Sequence, residues 1–203
     1  IMGKITKNKN SRPFAPQGTG HAEDPEFGNV WVKDSDGSLA GQKDLTGRYC
    51  SKPFTWVEVD MFGRVWMCCP SWLPYPIGNV LVDDMKTIWN NDKAQKMREQ
   101  IFNGKWNYCN HIQCPHIQDN SLPTLESVTD GHYPSLPAEF KAVSTRSTIV
   151  EELPTRINFS NDESCNLECP SCRISKILFT SGTDYDKRND INDRIMYDFL
   201  TAP

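Results

Sequence analysis

The sequence predicts an α/β protein that begins with a small α+β module. Two observations carry this prediction. Two short alternating segments joined by a turn precede an amphipathic helical stretch, and a later strand precedes a cysteine loop and further helical sequence. At 203 residues the chain is long enough for one or two domains with a substantial core.

The charge balance is mildly acidic, with 26 Asp plus Glu against 22 Lys plus Arg. This balance argues against nucleic acid or an anionic membrane as the main partner. The basic N-terminus is not followed by the apolar core of a secretory signal, and no apolar run approaches the roughly 18 residues that span a bilayer. We therefore expect no nucleic-acid or membrane partner and a cytoplasmic location.

The hairpin is the clearest local prediction. Residues 1–49 are polar and rich in turn-forming residues, so we expect irregular structure with at most one short strand at 29–33. Residues 54–59 (FTWVEV) and 64–69 (RVWMCC) both alternate and are separated by DMFG. Gly63 supplies the positive φ that closes such a turn, which predicts a β-hairpin.

Two helices are predicted after the hairpin. Residues 84–89 form a short helical turn, and Asp92 caps a second helix that has Gln95 at its third position and ends at Gly104. The apolar residues of the second helix recur on one face, which predicts core positions for Ala94, Met97 and Ile101.

The second half of the chain shows fewer periodic patterns. Residues 118–153 have no sustained period and are predicted to be a linker. Residues 154–161 (PTRINFSN) predict a short strand, and 174–179 could begin a helix. In the stretch 191–202, apolar residues recur every four positions, which predicts a helix with Ile191, Ile195 and Phe199 on one face.

The chain contains eight cysteines, which is a high count for an intracellular protein. An even number is compatible with disulfides, but disulfides require an oxidising compartment and the sequence shows no export signal. Closely spaced cysteines in such a chain favour metal binding instead.

Four cysteines are expected to converge around the hairpin and the helices: Cys50, Cys68, Cys109 and Cys114. One precedes the first strand, one ends the second, and two follow the longer helix with C-x4-C spacing. Four thiolates suit either zinc or an iron–sulfur cluster. The 18-position separation of Cys50 and Cys68 fits a zinc ribbon poorly, but spacing alone leaves both metals open.

Three neighbouring residues are predicted not to be ligands. Cys69 follows Cys68 directly, so strand alternation places its side chain on the other sheet face, as a packed thiol. His111 and His116 flank Cys114 and are expected to be solvent-facing loop residues.

The second cysteine cluster lies directly behind the predicted strand at 154–161. Cys165, Cys169 and Cys172 have C-x3-C-x2-C spacing, and three thiolates leave one coordination position open. An open iron in a cubane cluster could bind a substrate or cofactor. A zinc site that takes a remote fourth ligand is the alternative.

CNLECPSC resembles the cluster loop of radical S-adenosylmethionine (radical SAM) enzymes, which follows the first strand of a partial (β/α)6 barrel. The resemblance implies that Cys165, Cys169 and Cys172 bind a 4Fe–4S cluster whose open iron binds S-adenosylmethionine. One electron then cleaves the cofactor to a 5′-deoxyadenosyl radical, which abstracts hydrogen from the substrate. Ser171 departs from the family, because many members have an aromatic residue at this position.

Residues 50–117 resemble the twitch and SPASM modules of radical SAM enzymes, which bind auxiliary iron–sulfur clusters. The resemblance lies in C-x12-G-x4-C, GN at 78–79, IW at 88–89, the Arg98 to Gly104 helix end and C-x4-C. It implies one auxiliary cluster bound by the four earlier cysteines: Cys50, Cys68, Cys109 and Cys114. The shorter cysteine string is closer to a single-cluster twitch domain than to a full SPASM module.

The resemblance implies a domain order of an irregular region (1–49), an auxiliary cluster module (50–117), a linker (118–153) and the start of a radical SAM domain (154–203). The GGE-like stretch that grips the cofactor in that family is absent up to Pro203. We therefore expect a fragment that by itself does not cleave S-adenosylmethionine.

The implied enzyme acts on a peptide, a protein or a small molecule and receives electrons from a flavodoxin- or ferredoxin-type reductant. The alternative is a non-catalytic, zinc-stabilised binding module.

Overall fold

The structure is a computed structural model that describes residues 41–162, 164 and 178–201. The strand expected at 29–33, the three cysteines of the second cluster and most of the helix start at 174–179 lie outside these residues. In chain order the elements are α1 (Lys52–Thr55), β1 (Trp56–Asp60), β2 (Arg64–Trp66), a 3-10 helix (Pro70–Trp72), β3 (Gly78–Asn79), α2 (Met85–Trp89), α3 (Asp92–Phe102), α4 (Pro115–Gln118), α5 (Leu125–Thr129), α6 (Pro137–Ser144), β4 (Arg156–Ser160) and α7 (Thr183–Thr201).

The described strands form one mixed sheet in the order β3-β2-β1-β4. Strands β1 and β2 pair antiparallel, with Val59 opposite Val65, which confirms the predicted hairpin. Strand β4 pairs parallel to β1, with Val57 opposite Ile157. The hairpin strands are shorter than predicted. Residues 52–55 form a helical turn, since Pro53 suits the first turn of a helix, and β2 ends before Pro70.

The hairpin turn is held by one carboxylate and one glycine. Asp60 accepts hydrogen bonds from the backbone N–H of Phe62 (2.9 Å) and Arg64 (3.1 Å) and from the Trp66 indole (3.1 Å). Gly63 has φ of 76°, as predicted for a residue that must take the left-handed conformation.

Helices α2 and α3 form at the predicted positions, with one corrected cap. Asn91 caps α3, and its side chain accepts from the Ala94 N–H at 3.0 Å. Asp92 is instead the first helical residue, where its negative charge interacts favourably with the positive end of the helix dipole. Gln95 donates to the Asn90 carbonyl rather than closing a capping box. The predicted core positions of the helix are confirmed as buried: Ala94, Met97 and Ile101.

The segment predicted as a linker contains two short helices that pack on the core. Thr124 caps α5, and Pro137 begins α6, in which Glu139 occupies the third position. Val128, Ala142 and Val143 are buried in the same apolar cluster as the sheet. The segment therefore contains helices although its sequence shows no sustained period, because helices of five and eight residues are too short to show a clear one. The domain boundaries remain predictions.

The predicted strand at 154–161 is confirmed as β4, and the predicted C-terminal helix is longer than expected. Helix α7 begins at Thr183, where Asp184 and Asp186 occupy the favourable first turn. Its residues Ile191 and Ile195 are fully buried, as predicted. The partial barrel stays a prediction, since the described strands form an open four-stranded sheet.

Among the described helices, none combines the length and apolar character needed to cross a membrane.

Candidate metal centre

Four cysteines reach the candidate site from four separate segments of the chain. Cys50 lies just before α1, and Cys68 lies in the bend after β2. Cys109 sits in a turn after α3, and Cys114 occupies the N-cap of α4. The sheet and α3 therefore bring together the ends that the sequence predicted would converge.

Backbone hydrogen bonds fix the turn that carries the last two cysteines. The Cys109 N–H donates to the Trp106 carbonyl, and the Cys114 N–H donates to the Asn110 carbonyl, each at 2.9 Å. The Cys114 carbonyl accepts from Gln118 at 3.0 Å, which begins α4. The C-x4-C stretch is therefore a defined turn rather than a loose loop.

All four thiols line one cavity of about 50 Å³. This is more than one water molecule needs, so the cavity has room for a group of several atoms. Its other lining side chains are mainly apolar and come from α3 and the flanking turns, among them Met67, Leu73, Met97, Ile101, Trp106 and Ile117. The five described cysteines are all free thiols.

Burial raises the pKa of three of the cavity's thiols, those of Cys50, Cys68 and Cys109. It raises the pKa of Cys50 to about 11, and the neighbouring Cys114 adds to the rise. Burial and the nearby Cys50 also raise the pKa of Cys68 and Cys109. The positive charge of Lys52 opposes the rise at Cys50 and Cys68. A cationic metal group would have to displace protons from these thiols, and binding is then coupled to pH.

The four thiols line one cavity, but the described side chains are not gathered as the ligands of a single ion would be. In the described part of the chain, no group of three or more His, Cys, Asp or Glu side chains is placed so that it could hold a metal ion. A zinc ion with Zn–S bonds of about 2.3 Å would draw its four sulfurs to within roughly 3.8 Å of one another. An iron–sulfur cluster contributes its own sulfides, so its thiolate ligands lie further apart around the same cavity.

An unpaired donor lies at the same cavity. The Trp106 side chain is only 2% exposed, and its indole N–H has no acceptor among the residues that the structure describes. A buried donor without an acceptor costs about 1–3 kcal/mol. Trp106 also has φ of 48°, a left-handed conformation that costs about 1–2 kcal/mol for a residue with a Cβ atom.

His111 supports the Trp106 turn from inside the protein. The backbone N–H of Lys43 donates to its Nδ1 at 3.2 Å, so Nε2 carries the proton and donates to the Trp106 carbonyl at 3.2 Å. Burial lowers the pKa of His111, which favours this neutral form. The expectation that His111 faces solvent is wrong, because its ring fills the space between residue 43 and the cysteine turn.

The other two residues predicted not to be ligands are placed outside the cysteine group. Cys69 lines a separate surface depression beside Asp60 and Trp66 and does not line the cavity of the four thiols. His116 is exposed, as predicted, and its Nδ1 lies 3.2 Å from the Ser121 hydroxyl.

Residues 50–115 match the family model of SPASM, an iron–sulfur cluster-binding domain. The match begins at Cys50 and ends one residue after Cys114, so it encloses all four thiols of the cavity. No curated protein and no solved structure matches the chain. This match supports iron–sulfur binding. The cysteine spacing alone had not distinguished an iron–sulfur cluster from zinc.

Sequence reasoning missed Trp106 and the burial of His111. A tryptophan gives no sequence signal for a left-handed backbone, and the only hint for His111 was its position between two cysteines. The second cysteine group, Cys165, Cys169 and Cys172, lies outside the described residues, so its assignment stays a prediction.

Proposed function

We propose that Cys50, Cys68, Cys109 and Cys114 bind an auxiliary iron–sulfur cluster within a radical SAM enzyme. The observation that carries the proposal is the convergence of four free thiols on one apolar cavity inside the SPASM segment. Such a cluster supplies one-electron transfer or a binding point for substrate when it is bound.

The chain's own residues perform three tasks at this site. The thiolates bind, the apolar side chains of α3 and its neighbours exclude water, and Lys52 places a positive charge beside the site. Both exclusion of water and a nearby positive charge affect the reduction potential of a thiolate-bound cluster.

The radical SAM part of the proposal is supported by three features. SPASM domains occur in radical SAM enzymes, C-x3-C-x2-C follows β4 along the chain, and the sequence after this loop reaches a long helix, α7. We propose a 4Fe–4S cluster on Cys165, Cys169 and Cys172 that binds S-adenosylmethionine, and a partial (β/α)6 barrel that begins at β4.

The substrate and the electron donor follow from the same family. We propose a peptide, a protein or a small molecule as substrate, by analogy with enzymes that carry related modules. A flavodoxin- or ferredoxin-type protein would supply the electron.

The auxiliary site is tested by anaerobic reconstitution with iron and sulfide. In a chain whose Cys165, Cys169 and Cys172 are changed to alanine, we expect a brown protein that absorbs near about 400 nm and contains about four irons if the cluster is a cubane. Cys68→Ala should abolish this colour and iron, whereas the adjacent Cys69→Ala should retain both. A colourless protein that binds one zinc instead would overturn the iron–sulfur assignment.

The cofactor site is tested by electron paramagnetic resonance. Adding S-adenosylmethionine to the reduced, reconstituted chain should change the spectrum of the cluster at residues 165–172. The triple alanine variant should show no change. If the triple alanine variant gave the same reduced spectrum as the unsubstituted chain, no cluster would be bound at residues 165–172 and the radical SAM assignment would be contradicted.

A further inference from the structure

The Trp106 indole is the feature of the cavity that coordination by thiolates does not explain. Trp106 lines the same cavity as the four thiols, and its indole N–H is buried with no acceptor in the described part of the chain. The cavity wall is otherwise mainly apolar. Buried donors are normally satisfied, and the cavity that Trp106 lines has room for a group that could accept this hydrogen bond.

The backbone of Trp106 has an unusual conformation that its neighbours hold in place. Its φ of 48° is unusual for a large side chain, and such a conformation persists only where neighbouring contacts impose it. Its carbonyl accepts from the Cys109 N–H at 2.9 Å and from His111 Nε2 at 3.2 Å. The turn that positions a thiol is therefore the same turn that positions the indole.

We propose that the Trp106 N–H donates a hydrogen bond to a sulfur of the auxiliary cluster, either a bridging sulfide or a cysteine thiolate. This inference rests on the proposed iron–sulfur site. Reduction adds negative charge to the cluster, and a donor aimed at sulfur stabilises the reduced state more than the oxidised state. Trp106 is thus a positioning residue that raises the reduction potential of the cluster.

The first experiment measures the reduction potential in the chain that carries only the auxiliary cluster, with Cys165, Cys169 and Cys172 changed to alanine. Trp106→Phe keeps an aromatic ring but removes the N–H, so we expect the same iron content and a lower midpoint potential. Trp89→Phe is the control. Its indole donates to the Glu152 carbonyl at 3.0 Å, away from the cavity, so its loss should leave the potential unchanged. An unchanged potential in loaded Trp106→Phe would overturn the proposal.

A second measurement does not depend on how the variant folds. The protein keeps Trp106 and contains ¹⁵N-labelled tryptophan. Pulsed electron paramagnetic resonance of its reduced auxiliary cluster should detect an indole nitrogen and an exchangeable proton. Trp72→Phe removes the other indole that lines the cavity and should leave this coupling in place. Loss of the coupling in Trp72→Phe, or its absence from the loaded protein, would overturn the assignment to Trp106.

The two proposals fail in different ways. A protein that takes up no iron contradicts the cluster itself and, with it, the indole contact. A protein that loads iron but shows no indole coupling contradicts only the role of Trp106.

Discussion

Single residues set the shape of the cysteine turn. Gly104 ends α3 with φ of 71°, and a Cβ atom at this position would lie 3.0 Å from the Thr46 Cα atom. His111 sits inside the protein and joins residue 43 to the Trp106 carbonyl. Both residues hold the chain close to the four thiols without contributing a ligand themselves.

Gly104→Ala should destabilise the protein by more than the conformational penalty of an alanine in the left-handed region, which is about 1–2 kcal/mol. The contact with the Thr46 backbone adds to this penalty. Gly131→Ala is the matched control, since Gly131 has φ of 73° and nothing within 4 Å of its added Cβ atom. Urea unfolding of both variants measures the difference, and equal losses would show that the Thr46 contact has no effect.

His111→Leu should lower the free energy of unfolding by about 1–3 kcal/mol, because the partly buried Lys43 N–H loses its acceptor and the Trp106 carbonyl loses one of its two donors. His116→Leu should change it by less than about 0.5 kcal/mol, since His116 is exposed. Thermal and denaturant unfolding of the metal-free protein measure both effects. A mild effect at position 111 would mean that water replaces the imidazole.

Helix α3 joins segments of the cysteine module to one another and to the chain at Thr148. Its fully buried Arg98 donates to the carbonyls of Pro53, Trp89 and Thr148 at 2.7–2.8 Å, and its guanidinium lies 4.4 Å from the centre of the Trp89 ring. Burial lowers its pKa to about 9, so the side chain stays charged at neutral pH.

Arg98→Met should cost about 3 kcal/mol or more, because three carbonyls lose a charged donor in a buried site. Arg156→Met is the control, as Arg156 is exposed on β4 and should change stability by less than about 0.5 kcal/mol. Denaturant unfolding is the measurement. If the two variants were equally stable, the hydrogen bonds of Arg98 would not hold these segments together.

Removal of the cluster should loosen the same module. The four thiols come from separate segments of the chain, so a bound cluster adds cross-links between these segments that contribute folding free energy. We expect the loaded protein to be more stable than the chelated protein by about 3 kcal/mol or more, the value for binding well above the dissociation constant. Hydrogen exchange should rise first within residues 50–115. Equal melting temperatures before and after chelation would contradict this.

At the scale of the whole molecule, the cysteine module and the later segments share one apolar cluster. Val128 of α5, Val143 of α6 and Ile191 of α7 belong to the same core as Val57 of β1. Strand β4, which precedes the second cysteine group, extends the hairpin sheet by pairing with β1. The strand that precedes the second cysteine group in the sequence therefore belongs to the same sheet as the cysteine module.

Two separate clusters should be measurable in the whole chain. Anaerobic reconstitution should load about eight irons, two cubanes. Changing Cys165, Cys169 and Cys172 together to alanine should reduce the iron to about half. An iron content unaffected by the triple change would refute the second site.

The sequence by itself determined the hairpin, α2, α3, β4 and the grouping of four cysteines. These features depend on signals within short stretches: alternation in β1 and β2, the period of α3, and cysteines placed at the ends of these elements. The same local signals placed Gly63 and Gly104 at turns with positive φ, as the structure confirms. These local signals could not distinguish zinc from an iron–sulfur cluster, because the spacing of cysteines does not give the size of the site that they form.

Only the tertiary structure decided that residues 118–153 contain helices, that His111 is buried and that Trp106 lines the cavity of the four thiols. The helices in 118–153 are short, so their stability comes from packing against each other and against α1 rather than from a period in the sequence. His111 is buried because residue 43 folds back over the cysteine turn, a contact across 68 positions of sequence. Trp106 lines the cavity of the four thiols and has a left-handed backbone conformation that tryptophan does not prefer. No local propensity could therefore have indicated this position.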